Sequence, residues 1–228
     1  MQAPDQPEIT VHRFGREREP VVVIDNFSGD VDRLLERGRS AEYQAAGASY
    51  PGLRAWAEPD FLDRRRDLMF QALQQVFGFR KGVSLEVSTF SLVTRAPEEL
   101  SPLQRIPHYD HASDELVAIM FYLLGPETGG TAFYRHRRTG FETITDAREP
   151  AYDAGLGEDE REYGMPDKAY WYGDGDRYEL IGEVEARPDR LVLYRGRLLH
   201  SGVIPRPDEL TQDPATGRLT INMFLRGR

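Results

Sequence analysis

Leu116-Val117-Ala118-Ile119-Met120-Phe121-Tyr122-Leu123-Leu124, closed by Gly125-Pro126, is the longest apolar run of the sequence. Nine residues are about half of the ~20 that a bilayer-crossing helix needs, so the run is not a membrane span. Its β-branched and aromatic content and its closing turn predict a buried strand. Gly129-Gly130 then marks a tight reversal, with a second strand at 131–134. Outward from this pair, strand patterns recur at 20–27, 83–94, 178–185, 191–194 and 219–225, separated by turns such as Arg187-Pro188-Asp189 and Asp213 to Gly217. Two helices fall near the front. The first is capped by Ser28 or Asp30, carries Val31, Leu34 and Leu35 on one face, and ends before Gly47. The second starts at Pro59-Asp60, aligns Leu62, Met69, Leu73 and Val76, and stops at Gly78. Helices first and six or more strands behind predict a mainly β chain with flanking helices, an α+β sandwich or barrel.

The 228 residues are enough for one large core, and 39% hydrophobic content excludes wholesale disorder. Residues 1–19 are polar and proline-bearing and read as a flexible tail, leaving 20–228 as a single domain. The stretch from Gly140 to Asp176 fits neither period and reads as a long acidic, aromatic insert, expected to cover a site through Tyr170, Trp171 or Tyr172. A net charge of −9 argues against a nucleic-acid partner, and no basic, apolar leader is visible, so the expected location is the cytoplasm. The basic cluster Arg135-His136-Arg137-Arg138 reads as a solvated loop, with an anion-binding rim as the alternative. Oligomeric state is left open.

With no cysteine, any metal must rest on His, Asp or Glu. In an extended segment residues i and i+2 share a side, so His108 and Asp110 can present a ring nitrogen and a carboxylate oxygen to one point. His200, just after the 191–194 strand, can supply a third ligand, and two histidines with one carboxylate leave open positions of the kind non-haem Fe(II) oxygenases use. Alternatively, Asp110 only orients a surface histidine, or His111 replaces His108. His12 and His136 read as surface residues.

His108-Tyr109-Asp110, the 116–124 strand, Gly129 to Phe133, Arg195-Gly196-Arg197-Leu198-Leu199-His200-Ser201-Gly202 and Gly217 to Leu225 together resemble the prolyl-4-hydroxylase-like branch of the 2-oxoglutarate and Fe(II)-dependent oxygenases. The resemblance spans residues 83–228. It implies a double-stranded β-helix, the cupin-like jelly roll, with Fe(II) on His108, Asp110 and His200, and with O2 and 2-oxoglutarate as co-substrates. Arg218 would grip the distal carboxylate of 2-oxoglutarate, assisted by Thr220, which alternation puts on the same strand face as Arg218 and Asn222. Tyr122 would contact the co-substrate in place of the family's tyrosine on the preceding strand, where this sequence reads Ser88-Thr89-Phe90-Ser91; the alternative is a packed core aromatic.

Arg218 follows His200 at a longer spacing than usual for this branch, which keeps Arg206 open as the clamp. The implied activity is dioxygenase chemistry, by default hydroxylation of an unactivated C–H bond of an amino acid, peptide or small natural product. Asp110 in the carboxylate position disfavours halogenation. A non-catalytic metal- or ligand-binding jelly roll is the alternative, and a zinc hydrolase on the same three ligands is a third; a dicarboxylate clamp is superfluous to a hydrolase.

Overall fold

Strand alternation sorts the side chains into two layers. The computed structural model describes residues 6–47 and 49–228. Its strands are β1 (Glu8–Arg13), β2 (Pro20–Asp25), β3 (Gln44–Ala45), β4 (Gly52–Trp56), β5 (Val83–Val93), β6 (Leu116–Tyr122), β7 (Gly130–His136), β8 (Tyr178–Glu185), β9 (Arg190–Arg195), β10 (His200–Val203) and β11 (Leu219–Gly227). Eight form one antiparallel sheet in the order β1-β2-β9-β6-β11-β5-β4-β3, and three form a second, β10-β7-β8. The last strand lies between β5 and β6, with Thr220 opposite both Ser91 and Tyr122. Two facing antiparallel sheets with such crossovers make the expected jelly roll.

One face of the large sheet, including Phe90, Ile119, Phe121, Leu193, Ile221 and Met223, packs against the helices α1 (Val31–Arg39) and α2 (Arg66–Gln75). Phe121 sits 5.0 Å from Phe61 and 6.3 Å from Phe27, ring centre to ring centre. Each such side chain stabilises the fold by roughly 1.5–3 kcal/mol through burial alone. Gly38 lets α1 lie close, since a Cβ there would stand 2.7 Å from a Leu219 methyl. Ser40 ends this helix earlier than Gly47, its N–H and hydroxyl both bonding the Glu36 carbonyl. The second helix begins as a 3-10 turn at Pro59, and the chain reverses at Gly78 with φ +80°. No helix among the described residues is long and apolar enough to cross a membrane.

The opposite face of the large sheet meets the small sheet. Val21, Val23, Ala118, Val192 and Tyr194 pack on Phe133 and Val184 at one end. At the other end this face turns polar, and the candidate site lies there.

Three expectations need correction. Residues 8–13, read as part of the tail, pair along the whole of β2, and Glu17 bonds the Thr143 hydroxyl, Arg148 and the Glu142 amide. Ile9 and Val11 stay exposed, so this edge strand lacks the apolar face that marks a strand. Residues 1–5 of that tail lie outside the described residues. The basic cluster is the end of β7: Arg135 is buried between Glu142 and Glu179, and His136 is fully buried. Lastly, the 140–176 stretch holds a helix, α3 (Glu149–Tyr163). Its inward positions Tyr152, Gly155, Leu156 and Asp159 have helical spacing, but a glycine and an acid occupy two of them and erase the apolar period. Asp159 takes a polar partner instead, His136 Nε2 at 2.8 Å.

Candidate metal centre

The segment before β6 runs antiparallel to the start of β10. His108 N–H donates to the His200 carbonyl (2.9 Å) and His200 N–H returns the bond (2.8 Å). This pairing sets the two rings side by side, their centres 4.4 Å apart. Two residues on, Asp110 N–H bonds the Gly196 carbonyl at 2.6 Å, which holds the segment extended and turns Asp110 to the same side as His108. His108, Asp110 and His200 each place one ligand-type atom within 4.8 Å of the others. His108 Nε2 stands 3.9 Å from Asp110 Oδ1, and His200 Nε2 stands 3.6 Å from Asp110 Oδ2.

The electrostatics suit a cation. Burial, and then the neighbouring His200, hold His108 down at about 4, and burial holds His200 at about 4. Burial lifts Asp110 to about 6 against the pull of His108 and Arg54. The His108 side chain is half exposed, while its ring packs beside the buried His200 ring. His200 Nδ1 lies 2.8 Å from the Leu198 carbonyl and so carries the hydrogen, leaving the Nε2 lone pair directed at Asp110. Asp110 Oδ2 is buried with no hydrogen-bond partner in the protein, an arrangement that costs stability unless a cation meets it. Neutral imidazoles and an unpartnered carboxylate oxygen are the donor set a divalent transition metal takes. His111 stands apart, its Nδ1 accepting from Ser113 N–H.

Register extends this point into a pocket. Arg54, Ser91, Thr220 and Tyr122 are directly opposite one another across β4, β5, β11 and β6, and so share the inner face. Thr220 Oγ1 donates to Asn222 Oδ1 (2.8 Å), as expected of same-face neighbours. Arg218, just before β11, is buried; its Nε and Nη2 donate to the Thr128 and Gly130 carbonyls at 2.8 and 3.2 Å. A Cβ built at Gly202 would lie 3.8 Å from Arg218 Nη2. Gly202 follows His200 by two residues on β10, about 7 Å along the strand, so this guanidinium stands near the three-residue cluster. Arg206 faces outward, paired with Glu209 at 2.9 Å. Tyr122 is buried, its hydroxyl 2.6 Å from Thr131 Oγ1.

The 140–176 stretch reaches the site at its far end. Ser201 Oγ donates to the Trp171 carbonyl, and the Tyr170 hydroxyl donates to the Arg95 carbonyl. Tyr172 points outward and bonds Glu183. Sequence reasoning missed three neighbours. Tyr194 packs edge-on against the His200 ring at 4.8 Å. Tyr50 and Arg54 sit where no strand was expected, in and before the short β4.

Over residues 5–225 the sequence matches a family described as a family of unknown function, DUF6445. No curated protein matches. Among solved structures, HygX from Streptomyces hygroscopicus, with nickel, 2-oxoglutarate and hygromycin B bound, is 16% identical with a TM-score of 0.51, covering 92% of this chain and 84% of that one. SnoN, a non-haem α-ketoglutarate-dependent epimerase from nogalamycin biosynthesis, is 12% identical with a TM-score of 0.48, covering 92% and 80%. A prolyl-4-hydroxylase from Pseudomonas putida is 15% identical with a TM-score of 0.44, covering 95% and 94%. At these identities the likeness is one of fold, and the HygX match carries it.

Proposed function

The chain belongs to the DUF6445 family, and since its chemistry must be read from its own side chains, we propose that it is an Fe(II)- and 2-oxoglutarate-dependent oxygenase that hydroxylates a C–H bond of an amino acid, peptide or small natural product. The observation that carries this reading is Asp110 Oδ2, buried without a protein partner between two imidazoles, with the buried Arg218, just before β11, approaching Gly202 of the strand that carries His200. His108, Asp110 and His200 would hold the ferrous ion, which when bound supplies O2 activation coupled to decarboxylation of the keto acid. Leu198 keeps the His200 ring in the tautomer that leaves Nε2 free.

Arg218 would bind the distal carboxylate of 2-oxoglutarate. Its two backbone bonds fix the guanidinium plane before the ligand arrives, and its remaining N–H donors match a carboxylate edge. Thr220 adds a hydroxyl on the same face, and Tyr122, held by Thr131, supplies a wall and a phenol. The 170–172 stretch would border the substrate side and limit water.

The test uses anaerobic Fe(II) titration and O2-dependent release of succinate from 2-oxoglutarate. Substituting His108, Asp110 or His200 by alanine should remove most iron affinity and all succinate release, while His111→Ala retains both. Normal iron binding and turnover in His200→Ala would refute the ligand set. Iron binding without any succinate release across a metabolite screen would favour the non-catalytic jelly roll.

A further inference from the structure

Arg54, like Arg218, has no anionic partner among the described residues, but unlike Arg218 it has no backbone carbonyl to hold it either. Arg54 is half-buried at the centre of β4, and its Nε is buried with no hydrogen-bond partner. No carboxylate among the described residues forms an ion pair with it. One face of its guanidinium is covered by the Tyr50 ring, Cζ 4.5 Å from the ring centre, which fixes the plane of the group without satisfying its N–H donors. The Tyr50 hydroxyl is itself buried beside Ser91 with no well-formed bond. Arg54 and Arg218 are both near enough to Tyr50, and Arg54 near enough to Asp110, for their positive charge to favour the ionised phenol and carboxylate, and Arg54 shares the inner sheet face with Ser91 and Thr220. Arg54 further lines an open cleft of ≈ 520 Å³ with Gln44, Trp56, Thr89 and Glu42. Trp56, two residues on and therefore on the same strand face, is largely exposed at that cleft.

A buried guanidinium N–H without an acceptor is costly to keep, and a single arginine beside a phenol and a threonine hydroxyl matches one monoanionic carboxylate. A phosphate dianion would call for further cations. We infer that Arg54 is a substrate-recognition residue, and that the molecule acted on carries a carboxylate that Arg54 binds from the Trp56 cleft. This rests on the oxygenase reading for the word substrate, but not for the anion site itself. Two arginines then divide the labour: Arg218, anchored to backbone carbonyls on the small-sheet side, takes the co-substrate, and Arg54, on the edge side, takes the substrate.

The experiment has two arms on the full chain. In the first, 2-oxoglutarate is titrated into anaerobic Fe(II)-loaded wild type, Arg54→Gln and Arg54→Lys, read by the charge-transfer absorption of the complex. In the second, the twenty L-amino acids and simple mono- and dicarboxylic acids, each beside its carboxamide, are titrated calorimetrically into the Ni(II)- and 2-oxoglutarate-loaded protein, which does not turn over. Expected are 2-oxoglutarate affinities within about threefold across the variants, and at least one carboxylate that binds wild type tenfold or more tightly than its amide. Arg54→Gln should erase that preference and Arg54→Lys should keep part of it. Carboxamides binding as well as acids, no acid binding at all, or a preference surviving in Arg54→Gln would overturn the inference. Loss of the charge-transfer band in Arg54→Gln would also overturn it, by making Arg54 the co-substrate clamp. Absence of any band in wild type would instead count against the oxygenase reading, leaving the calorimetric arm on metal-free protein to judge Arg54.

Discussion

Replacing Arg218 by alanine separates two things that one side chain does. The guanidinium is about nine-tenths buried and holds the Thr128 and Gly130 carbonyls. Each is a charge-assisted bond worth about 1.5–3 kcal/mol, and truncation leaves both carbonyls short of a donor, so the fold should lose about 3–6 kcal/mol. For a chain of this size that lowers Tm by roughly 6–24 °C. Binding of 2-oxoglutarate should fall further. Leaving a carboxylate unpaired in a largely desolvated pocket costs about 2–5 kcal/mol, or roughly 30-fold to several-thousand-fold in affinity. Anaerobic titration of the iron-loaded protein, below the Tm of the variant, reads this affinity directly, while Fe(II) affinity should be unchanged because the proposed ligands His108, Asp110 and His200 lie elsewhere. Arg218→Lys should fall between, keeping the charge but losing the paired donors. Arg206→Ala should have no effect, its guanidinium being turned to Glu209 at the surface. Wild-type affinity in Arg218→Ala would refute the clamp.

Two further outcomes follow from buried charges. Metal affinity should depend on pH with a definite sign: above about 6 all three groups are already unprotonated and affinity is flat, whereas between about 6 and 4 Asp110 must release one proton, so affinity should drop about tenfold per pH unit and more steeply below 4, where the histidines protonate too. An affinity unchanged between pH 7 and 5 would contradict this. Asp159→Ala strips a buried carboxylate from His136 Nε2 at 2.8 Å and Arg138 Nε at 2.5 Å and should cost about 3–5 kcal/mol in urea unfolding, with Asp159→Asn losing less; a loss under about 1 kcal/mol would mean α3 is held by other contacts.

Where burial followed the strand period, sequence and structure agree. The 116–124 run, the 83–94 segment and the last strand have apolar residues on the helix-facing side, and the polar set Ser91, Arg218, Thr220 and Asn222 alternates with them. The spacing of His108 and Asp110 likewise has a direct geometric meaning, and the structure brings both beside His200. Elements whose stability comes from polar partners stayed hidden. Residues 8–13 are held by β2 along one edge with their side chains in water, α3 combines Tyr152 and Leu156 with the polar anchor Asp159, and β4 is a five-residue strand near the sheet edge whose most informative residue is an arginine in an otherwise ordinary stretch, Arg54. Nothing local distinguishes such an arginine from a surface one; only the neighbouring strands reveal that it faces inward.

The place of β11 between β5 and β6 bears on how the protein is made. Translation delivers β5 and β6 long before residues 219–227, so a growing chain carries two facing strand edges whose amides have no partners. Such edges pair readily with other chains. Removing the final strand would therefore not trim the sheet but split it, and a stalled or prematurely ended nascent chain should need chaperone protection and aggregate rather than persist as a folded protein. The same late strand brings Arg218 with it, so the pocket acquires its buried cation in the step that joins the two halves of the sheet.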